Sequence, residues 1–170
     1  MKSKIIWLTG LSGSGKTTLS KYIAKKLKLK KFKIKQIDGD IFRKKNKDTK
    51  FTKKSIVKNN LSIISYVSKI KDKYDFIIVS VISPLKKTRN VAFKKFKNDY
   101  FEVFTKCNLK VLIKRDTKNL YIKAKKKIIK NLIGYNSKIK YENSDHPKTI
   151  VNTSNLSIKE CVNKVLKKVL

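Results

Sequence analysis

One stretch near the start of the chain constrains its fold more than any other: Gly10-Leu11-Ser12-Gly13-Ser14-Gly15-Lys16-Thr17-Thr18. It follows the pattern G-x-x-x-x-G-K-[ST], in which backbone N–H groups, a lysine and a hydroxyl surround a phosphate. The apolar run 5–8 precedes it as a buried strand would, and Leu19, Ile23 and Leu27 then recur on one face of a predicted helix. A strand, a glycine-rich turn and a helix start predict an anion site at the helix N-terminus.

The charge of the chain raises a second class of function. Its 170 residues suit one domain with one core, and 45 basic against 11 acidic residues give a net charge of +34. A nucleic-acid-binding protein is the rival hypothesis. Only Arg43, Arg89 and Arg115 are arginines, and the lysines occur in nearly every segment. We therefore interpret the charge as a solvated surface that attracts anionic nucleotides, and expect no specific nucleic-acid partner.

Cysteine and histidine usage excludes several kinds of site. Cys107, Cys161 and His146 form neither a disulfide framework nor a usual zinc pattern, which fits a reducing cytoplasm. The longest apolar run, 76–82, is too short to span a membrane, so no membrane partner is expected. Residues 1–10 run straight into the phosphate loop, so we predict no export signal and a cytoplasmic location.

The rest of the chain alternates predicted strands and helices. Strands are predicted over 33–37, 76–82, 100–105 and 149–152, and helices over 54–70, 85–97, 119–129 and 156–170, the last capped by Ser154 or Asn155. Segments 44–50 and 131–146 are predicted loops, and the type of 109–113 stays open. The alternation predicts a three-layer α/β fold of the P-loop nucleoside-triphosphate hydrolase type, a parallel sheet covered by helices on both faces, in one domain over 1–170.

Two carboxylates narrow the class of phosphate-binding protein. Asp38 and Asp40 follow the strand at 33–37, where parallel sheets keep their ligands. Motor and switch nucleotidases usually carry a metal-ordering acid after a central apolar strand, whereas the strand 76–82 runs into Ser83-Pro84. No Asn-Lys-x-Asp segment of the kind that recognises guanine is present. The pattern favours a small kinase over an ATPase switch, with the two acids facing a metal and an acceptor hydroxyl.

Taken as a set, these segments resemble the adenylylsulfate kinase family from residue 4 to about residue 153. The matching stretches are GLSGSGKTT at 10–18, D-G-D-x-x-R at 38–43, Phe51-Thr52, Asn59, I-S-P at 82–84 with Arg89, F-E-V at 101–103, R-D-x-K-x-L-Y-x-K-A at 115–124, Gly134 and Tyr141-Glu142. That family transfers the γ-phosphate of ATP to the ribose 3′-hydroxyl of adenylylsulfate, with Mg²⁺, beneath a mobile lid. The resemblance therefore implies ATP and Mg²⁺ as cofactors and a nucleotide as acceptor.

The resemblance also implies roles for single residues. Asp40 would be the base beside the acceptor hydroxyl, while Asp38 and Thr17 would order Mg²⁺. Lys16 would neutralise the transferring phosphoryl group, and Arg115 would lie near the ATP base. Contact with the acceptor is implied for Arg43, Phe51, Asn59, Ile82, Ser83, Pro84, Lys123 and Leu132. Ser83 aligns with a serine long labelled a phosphorylated intermediate, but a strand-end cap or an acceptor contact is favoured because direct transfer needs no covalent step.

Residues 115–134 correspond to the family's lid. They are polar and basic and show no clear apolar face in the sequence, so we expect them to be the most mobile part of the protein without nucleotide. Asn119 stands where the lid has glycine. A homodimer is compatible with the sequence, which does not decide the oligomeric state.

The departures from the family pattern point to a changed acceptor. Arginines that hold the phosphosulfate end are replaced by Ser55-Ile56 and Leu61-Ser62, and Ile41 replaces an asparagine. Leu132 replaces a phenylalanine that stacks on the acceptor adenine. One branch, cytidine diphosphoramidate kinase of capsule phosphoramidate synthesis, has an acceptor with a smaller base and a neutral end. We therefore predict cytidine diphosphoramidate first and adenylylsulfate second; Lys53, Lys54 or Lys58 would favour the second if they restored the charge.

Overall fold

A computed structural model of the protein describes residues 3–45 and 51–170. Within them lie five strands: β1 (Lys4–Thr9), β2 (Ile34–Asp38), β3 (Phe76–Ser80), β4 (Tyr100–Lys106) and β5 (Lys148–Asn152). They form one sheet in the order β2-β3-β1-β4-β5, and all four pairings are parallel. The predicted strands and their parallel arrangement are confirmed.

Seven helices accompany the sheet in these residues: α1 (Lys16–Leu29), α2 (Gly39–Lys45), α3 (Lys53–Ile70), α4 (Lys86–Phe96), α5 (Leu109–Arg115), α6 (Leu120–Lys125) and α7 (Ile158–Val169). Short 3₁₀ turns at Lys71–Lys73 and Lys97–Asp99 lead into β3 and β4. In this part of the chain, no helix is long and apolar enough to cross a membrane.

The sheet separates two apolar clusters, because successive side chains of each strand point to opposite faces. Ile6 and Leu8 of β1 pack with Leu19 of α1 and Val165 of α7 on one face. On the other face, Trp7 and its neighbours pack against α3 and α4. This arrangement confirms the predicted three-layer α/β fold.

The differences from prediction are local. Segment 109–113 belongs to helix α5, and the predicted helix at 119–129 is only α6, Leu120–Lys125. The predicted loop 44–50 begins inside α2, while its residues 46–50 lie outside the described part. The predicted caps Ser154 and Asn155 are wrong. Ser157 caps α7 instead, in a capping box with Glu160.

The lid segment has an apolar side that the sequence did not reveal. Leu112, Tyr121, Ala124 and Leu132 form a third buried cluster, against which Leu11 of the phosphate loop packs. Tyr121 and Ala124 share a helix face because they lie three residues apart. Because α6 is so short, this face amounts to two residues and is hidden among lysines in the sequence.

Candidate active site

The phosphate loop runs from the end of β1 into α1, and its glycines are required by geometry. Gly10 has a φ of 144°, and a Cβ at this residue would lie 2.4 Å from Thr105 Oγ1. Gly15 is the N-cap of α1, with a φ of 90°. Such backbone angles strain every residue with a side chain, so only glycine gives the loop this path. The start of α1 then offers its unpaired N–H groups to an anion.

Lys16 is buried in the loop and folds back over it. Its Nζ donates to the carbonyl oxygens of Gly10, at 2.9 Å, and Leu11, at 2.7 Å. Burial lowers its pKa from 10.5 to about 8, against the opposing attraction of Asp40. A phosphate group placed here would pair with the ammonium and restore its charge.

Asp38 and Thr17 meet at the mouth of the loop. The Thr17 hydroxyl donates to Asp38 Oδ2 at 3.0 Å, and Asp38 Oδ1 accepts the N–H groups of Asp40 at 2.9 Å and Ile41 at 3.3 Å. These contacts fix the Asp38 carboxylate beside the hydroxyl. Hard oxygen atoms of this kind suit Mg²⁺, which takes one or two protein ligands when nucleotide phosphates and water supply the rest. The described residues contain no cluster of three or more acidic, histidine or cysteine side chains that would hold a metal alone.

Asp40 faces a lysine from the lid segment. Lys118 Nζ lies 2.5 Å from Asp40 Oδ2, and both side chains are about half exposed, at 52% and 53%. Lys118 belongs to the R-D-x-K stretch that carried the resemblance, but the sequence alone gave it no role. The contact joins the lid to the predicted base across 78 residues of chain.

A cleft of about 360 Å³ brings the predicted donor side together. Its lining includes the loop residues 12–13 and 15–18, together with Asp38, Asp40, Ile82, Arg115, Lys118 and Thr153. Arg115 is held near α7, with one guanidinium nitrogen 2.5 Å from the Thr153 carbonyl oxygen. Thr153, which sequence reasoning missed, also donates its hydroxyl to the Ser14 carbonyl at 3.1 Å.

The predicted acceptor residues of α2 and α3 form a separate group. Arg43 is buried, donates to the Ser55 hydroxyl at 2.9 Å, and lies 4.8 Å from the centre of the half-exposed Phe51 ring. Asn59 is 3% exposed, yet neither atom of its side-chain amide has a hydrogen-bond partner among residues 3–45 and 51–170. A buried amide without a partner is costly, and a bound polar ligand would relieve that cost.

Ser83 is not among the residues that line the cleft. It is fully buried, and its hydroxyl donates to Asn60 Oδ1 at 2.7 Å. The neighbouring residues differ, because Ile82 lines the cleft and the Pro84 carbonyl accepts the N–H of Glu142 at 2.8 Å. This environment fits the strand-end role of Ser83 and gives no support to a covalent one.

Segment 115–134 contacts the phosphate loop through Tyr121, whose hydroxyl donates to the Ser12 carbonyl at 2.9 Å. Asp116 accepts the N–H groups of Leu120 and Ile122 and so caps α6. Asn119, in place of the family's glycine, adopts a left-handed φ of 53°, which asparagine tolerates well. The glycine conformation is therefore kept without glycine.

The last two predicted acceptor residues both lie in the lid segment. Lys123 is exposed on α6. Leu132 is buried in the third apolar cluster and is not part of the cleft lining. The structure thus assembles the donor residues around one cleft, but does not bring Leu132 and Lys123 into it.

Comparison with known proteins gives a consistent result. The family model described as adenylylsulphate kinase matches residues 2–152. A probable adenylyl-sulfate kinase of Pyrococcus abyssi is 38% identical over 170 residues, covering 99% of this chain and 95% of the relative. The cytidine diphosphoramidate kinase of Campylobacter jejuni is 33% identical over 164 residues, covering 96% and 95%. The structure of the Mycobacterium tuberculosis APS kinase CysC with AMPPNP and APS superposes with a TM-score of 0.87, at 29% identity and 99% and 98% coverage.

Proposed function

The chain belongs to the adenylylsulfate kinase family and is an ATP-dependent kinase of that type, and from this premise we propose its acceptor and the roles of its residues. The acceptor is cytidine diphosphoramidate, phosphorylated on its ribose 3′-hydroxyl as a step of capsule phosphoramidate synthesis. The observation that carries the kinase chemistry is the cleft in which Lys16, Asp38 and Asp40 meet.

In the proposed reaction, the oxygen of the ribose 3′-hydroxyl bonds to the γ-phosphorus while Asp40 takes the proton of that hydroxyl. The bond from that phosphorus to the β,γ-bridging oxygen breaks, and ADP leaves. Lys16 and the N–H groups at the start of α1 hold the phosphate oxygens while charge spreads over them. Lys118 lies beside Asp40 and adds a second positive charge from the lid.

Thr17 and Asp38 are the residues that would hold Mg²⁺, and their hydroxyl and carboxylate fit its preference for oxygen ligands. The metal would neutralise charge on the nucleotide phosphates. Arg115 would pack near the ATP base at the other end of the cleft, where its guanidinium is anchored to Thr153.

The choice of acceptor rests on what surrounds Arg43. Where the family has arginines, this chain has buried Ile56, and Leu61-Ser62, of which Leu61 is 40% exposed. Ser55, which stands where the family has an aspartate, is hydrogen-bonded to Arg43. Each missing charge-assisted hydrogen bond costs a phosphosulfate group about 1.5 to 3 kcal/mol. A phosphoramidate end carries less charge and loses less.

The residues proposed to contact the nucleobase of the acceptor also favour the cytidine compound. Leu132 packs into the third apolar cluster, so this residue supplies no aromatic ring to stack on adenine. Phe51 offers one exposed aromatic face. The Asn59 amide, which has no hydrogen-bond partner in the described part of the chain, offers a donor and an acceptor. One aromatic face and one amide suit a pyrimidine better than a large purine held between two rings.

Adenylylsulfate is the second candidate because the similar proteins are mostly adenylyl-sulfate kinases. The identities of 38% to the Pyrococcus abyssi protein and 33% to the Campylobacter jejuni protein do not separate the two activities. The deciding experiment measures kcat/KM for both acceptors with saturating ATP and Mg²⁺. We expect the cytidine compound to exceed adenylylsulfate by at least about tenfold, the effect of one lost charged contact. Equal or greater efficiency with adenylylsulfate would contradict the choice of acceptor and leave the kinase activity standing.

A charge-restoring variant sharpens the comparison. Leu61→Arg places a guanidinium where the family has one, on an exposed side chain that accepts the change without disturbing the core. We expect it to raise kcat/KM for adenylylsulfate selectively. Leu29→Arg adds the same charge at the exposed end of α1, where Leu29 is 72% exposed, and is expected to leave the ratio of the two efficiencies unchanged.

A further inference from the structure

A buried polar cluster outside the cleft contains the only histidine of the chain. Arg89, Glu102 and His146 are 0%, 2% and 8% exposed. Arg89 Nε lies 3.3 Å from Glu102 Oε1, and His146 Nε2 lies 2.8 Å from Glu102 Oε2. Ser144 also donates its hydroxyl to the Glu102 carboxylate. Burying such groups is expensive unless they are paired, and here each is paired.

Both nitrogens of the His146 ring face oxygen atoms. Nε2 faces Glu102, and Nδ1 lies 3.2 Å from Asn90 Oδ1. The Asn90 amide is oriented by a second contact, its hydrogen bond to Asp145. A neutral ring carries one N–H, while a protonated ring carries two. Only the protonated ring satisfies both acceptors at once, and it is further held by stacking on Phe93 at 4.5 Å.

The cluster is hydrogen-bonded to two backbone segments, the one that follows Ile82 and the segment 141–146. Arg89 donates to the carbonyl oxygens of Ser83 and Glu142, and its guanidinium lies 4.9 Å from the Tyr141 ring centre. The Glu142 carboxylate accepts the N–H of Lys86 at 2.7 Å. Segment 141–146 is thereby fastened to the residues that follow Ile82.

We propose that His146, in its protonated form, is a positioning residue for the acceptor side of the site. His146 holds Glu102, Glu102 holds Arg89, and Arg89 donates to the Ser83 carbonyl. These contacts fix the position of the neighbouring Ile82, which lines the cleft. The proposal rests on the proposed function, because residues 82–84 are acceptor contacts in that account. As pH rises and the ring loses its second proton, the contact to Asn90 is lost and segment 141–146 loosens.

Several charged or titratable groups face or neighbour the histidine. They are Glu102 and Tyr100 on β4, Arg89 and Lys86 on α4, Asp145 and Tyr141 on the segment itself, and Lys148 on β5.

The test measures KM for ATP and for whichever of the two acceptors is turned over, from about pH 5.5 to 8.5, in wild type and His146→Phe. The variant keeps an aromatic ring on Phe93 but removes both donors. We expect its acceptor KM to rise about tenfold at low pH while its KM for ATP is unchanged. In wild type, the acceptor KM should climb with pH towards the value of the variant. Parallel pH profiles, or equal changes in both KM values, would overturn the proposal.

Two further measurements separate this proposal from the proposed function. Asn90→Asp puts a carboxylate beside Nδ1, which should move the wild-type transition to higher pH. The second measurement is amide hydrogen exchange at Glu142 and Lys86, which should accelerate in His146→Phe at low pH whatever the acceptor is. Unchanged exchange at these two amides would overturn the proposed role of His146 even if the enzyme is active. If neither acceptor is phosphorylated, the proposed function fails while the exchange still decides the role of His146.

Discussion

The Thr17 hydroxyl donates to Asp38 Oδ2 at 3.0 Å and joins the phosphate loop to the end of β2. The two strands that lead to these residues are not neighbours, because β3 lies between β1 and β2. The contact therefore spans the end of β3 at the carboxyl edge of the sheet, the edge where parallel sheets bind ligands. The hydroxyl and the carboxylate that we propose as Mg²⁺ ligands thus lie side by side at the mouth of the phosphate loop.

Asp40→Asn is expected to lower kcat far more than it changes KM for ATP. The amide keeps the size of the side chain but takes no proton, and loss of a general base costs about 10²- to 10⁴-fold. Steady-state kinetics at saturating Mg²⁺ check this. Full activity in the variant would remove Asp40 from the mechanism.

Asp38→Asn should instead weaken the dependence on Mg²⁺. Its carboxylate contacts Thr17 and two N–H groups, so the amide retains part of the local structure but offers the metal less charge. We expect the Mg²⁺ concentration for half-maximal rate to increase at least about tenfold. An unchanged Mg²⁺ requirement would argue against Asp38 as a ligand.

ATP binding should take up protons at alkaline pH. The buried Lys16 has a pKa of about 8 in the free protein, so the group is increasingly neutral above pH 8. Nucleotide phosphates favour the charged form and raise the pKa, so binding near pH 8 should take up about half a proton. Calorimetry in buffers of different ionisation enthalpy measures this. Uptake should fade near pH 6, where the lysine is already charged in both states.

Lys16→Arg is the matched control for that measurement, since a guanidinium does not titrate in this range. The alkaline uptake should vanish in the variant, while any proton change from the nucleotide itself remains. Equal uptake in both proteins at pH 8 would assign the protons to another group.

Lys118→Ala should reduce kcat by about tenfold or more, because one positive charge beside the transferring phosphoryl group is lost. Its ion pair with Asp40 is half exposed, so thermal stability should barely change. Lys126→Ala, an exposed lysine just beyond α6, is the control of equal charge. Equal effects of the two variants on kcat would mean that only general surface charge matters.

Tyr121→Phe tests the docking of the lid. Burial raises the pKa of the Tyr121 phenol to about 12, so it stays protonated and donates to Ser12 at all working pH values. Removing this hydrogen bond is worth about 1 kcal/mol, which predicts roughly fivefold faster amide exchange in α6 if the lid opens as a unit. Tyr22→Phe on the exposed face of α1 should change nothing there. The same exchange data test the predicted mobility of 115–134, and uniform protection with and without nucleotide would count against it.

Most of the fold could be predicted because its strands and longer helices carry strong apolar patterns. Strand β3, residues 76–80, is fully buried and lies between two parallel partners, as the apolar character of the run 76–82 on both faces indicated. The short elements were harder to predict because they carry weak apolar patterns. Helix α2 has only seven residues, too few turns for a helical period to show. The cap of α7 was predicted two or three residues too early because several Ser and Asn residues precede the helix.

The donor side of the site was predictable because a phosphate loop is a local motif. Contacts between distant segments were not, since Lys118 meets Asp40 and Thr153 meets Ser14 only after the sheet has formed. Leu132 shows the limit on the acceptor side. Its substitution was visible in sequence, but its burial beside Tyr121 was not.

The most direct test of the kinase account follows the label from γ-³²P-ATP in the presence of Mg²⁺ and each acceptor. We expect the label to appear in the acceptor as a ribose phosphate that 3′-nucleotidase releases, and Asp40→Asn to lower this transfer by orders of magnitude. Label recovered only as inorganic phosphate, at a rate independent of either acceptor, would contradict it and identify the protein as an ATPase.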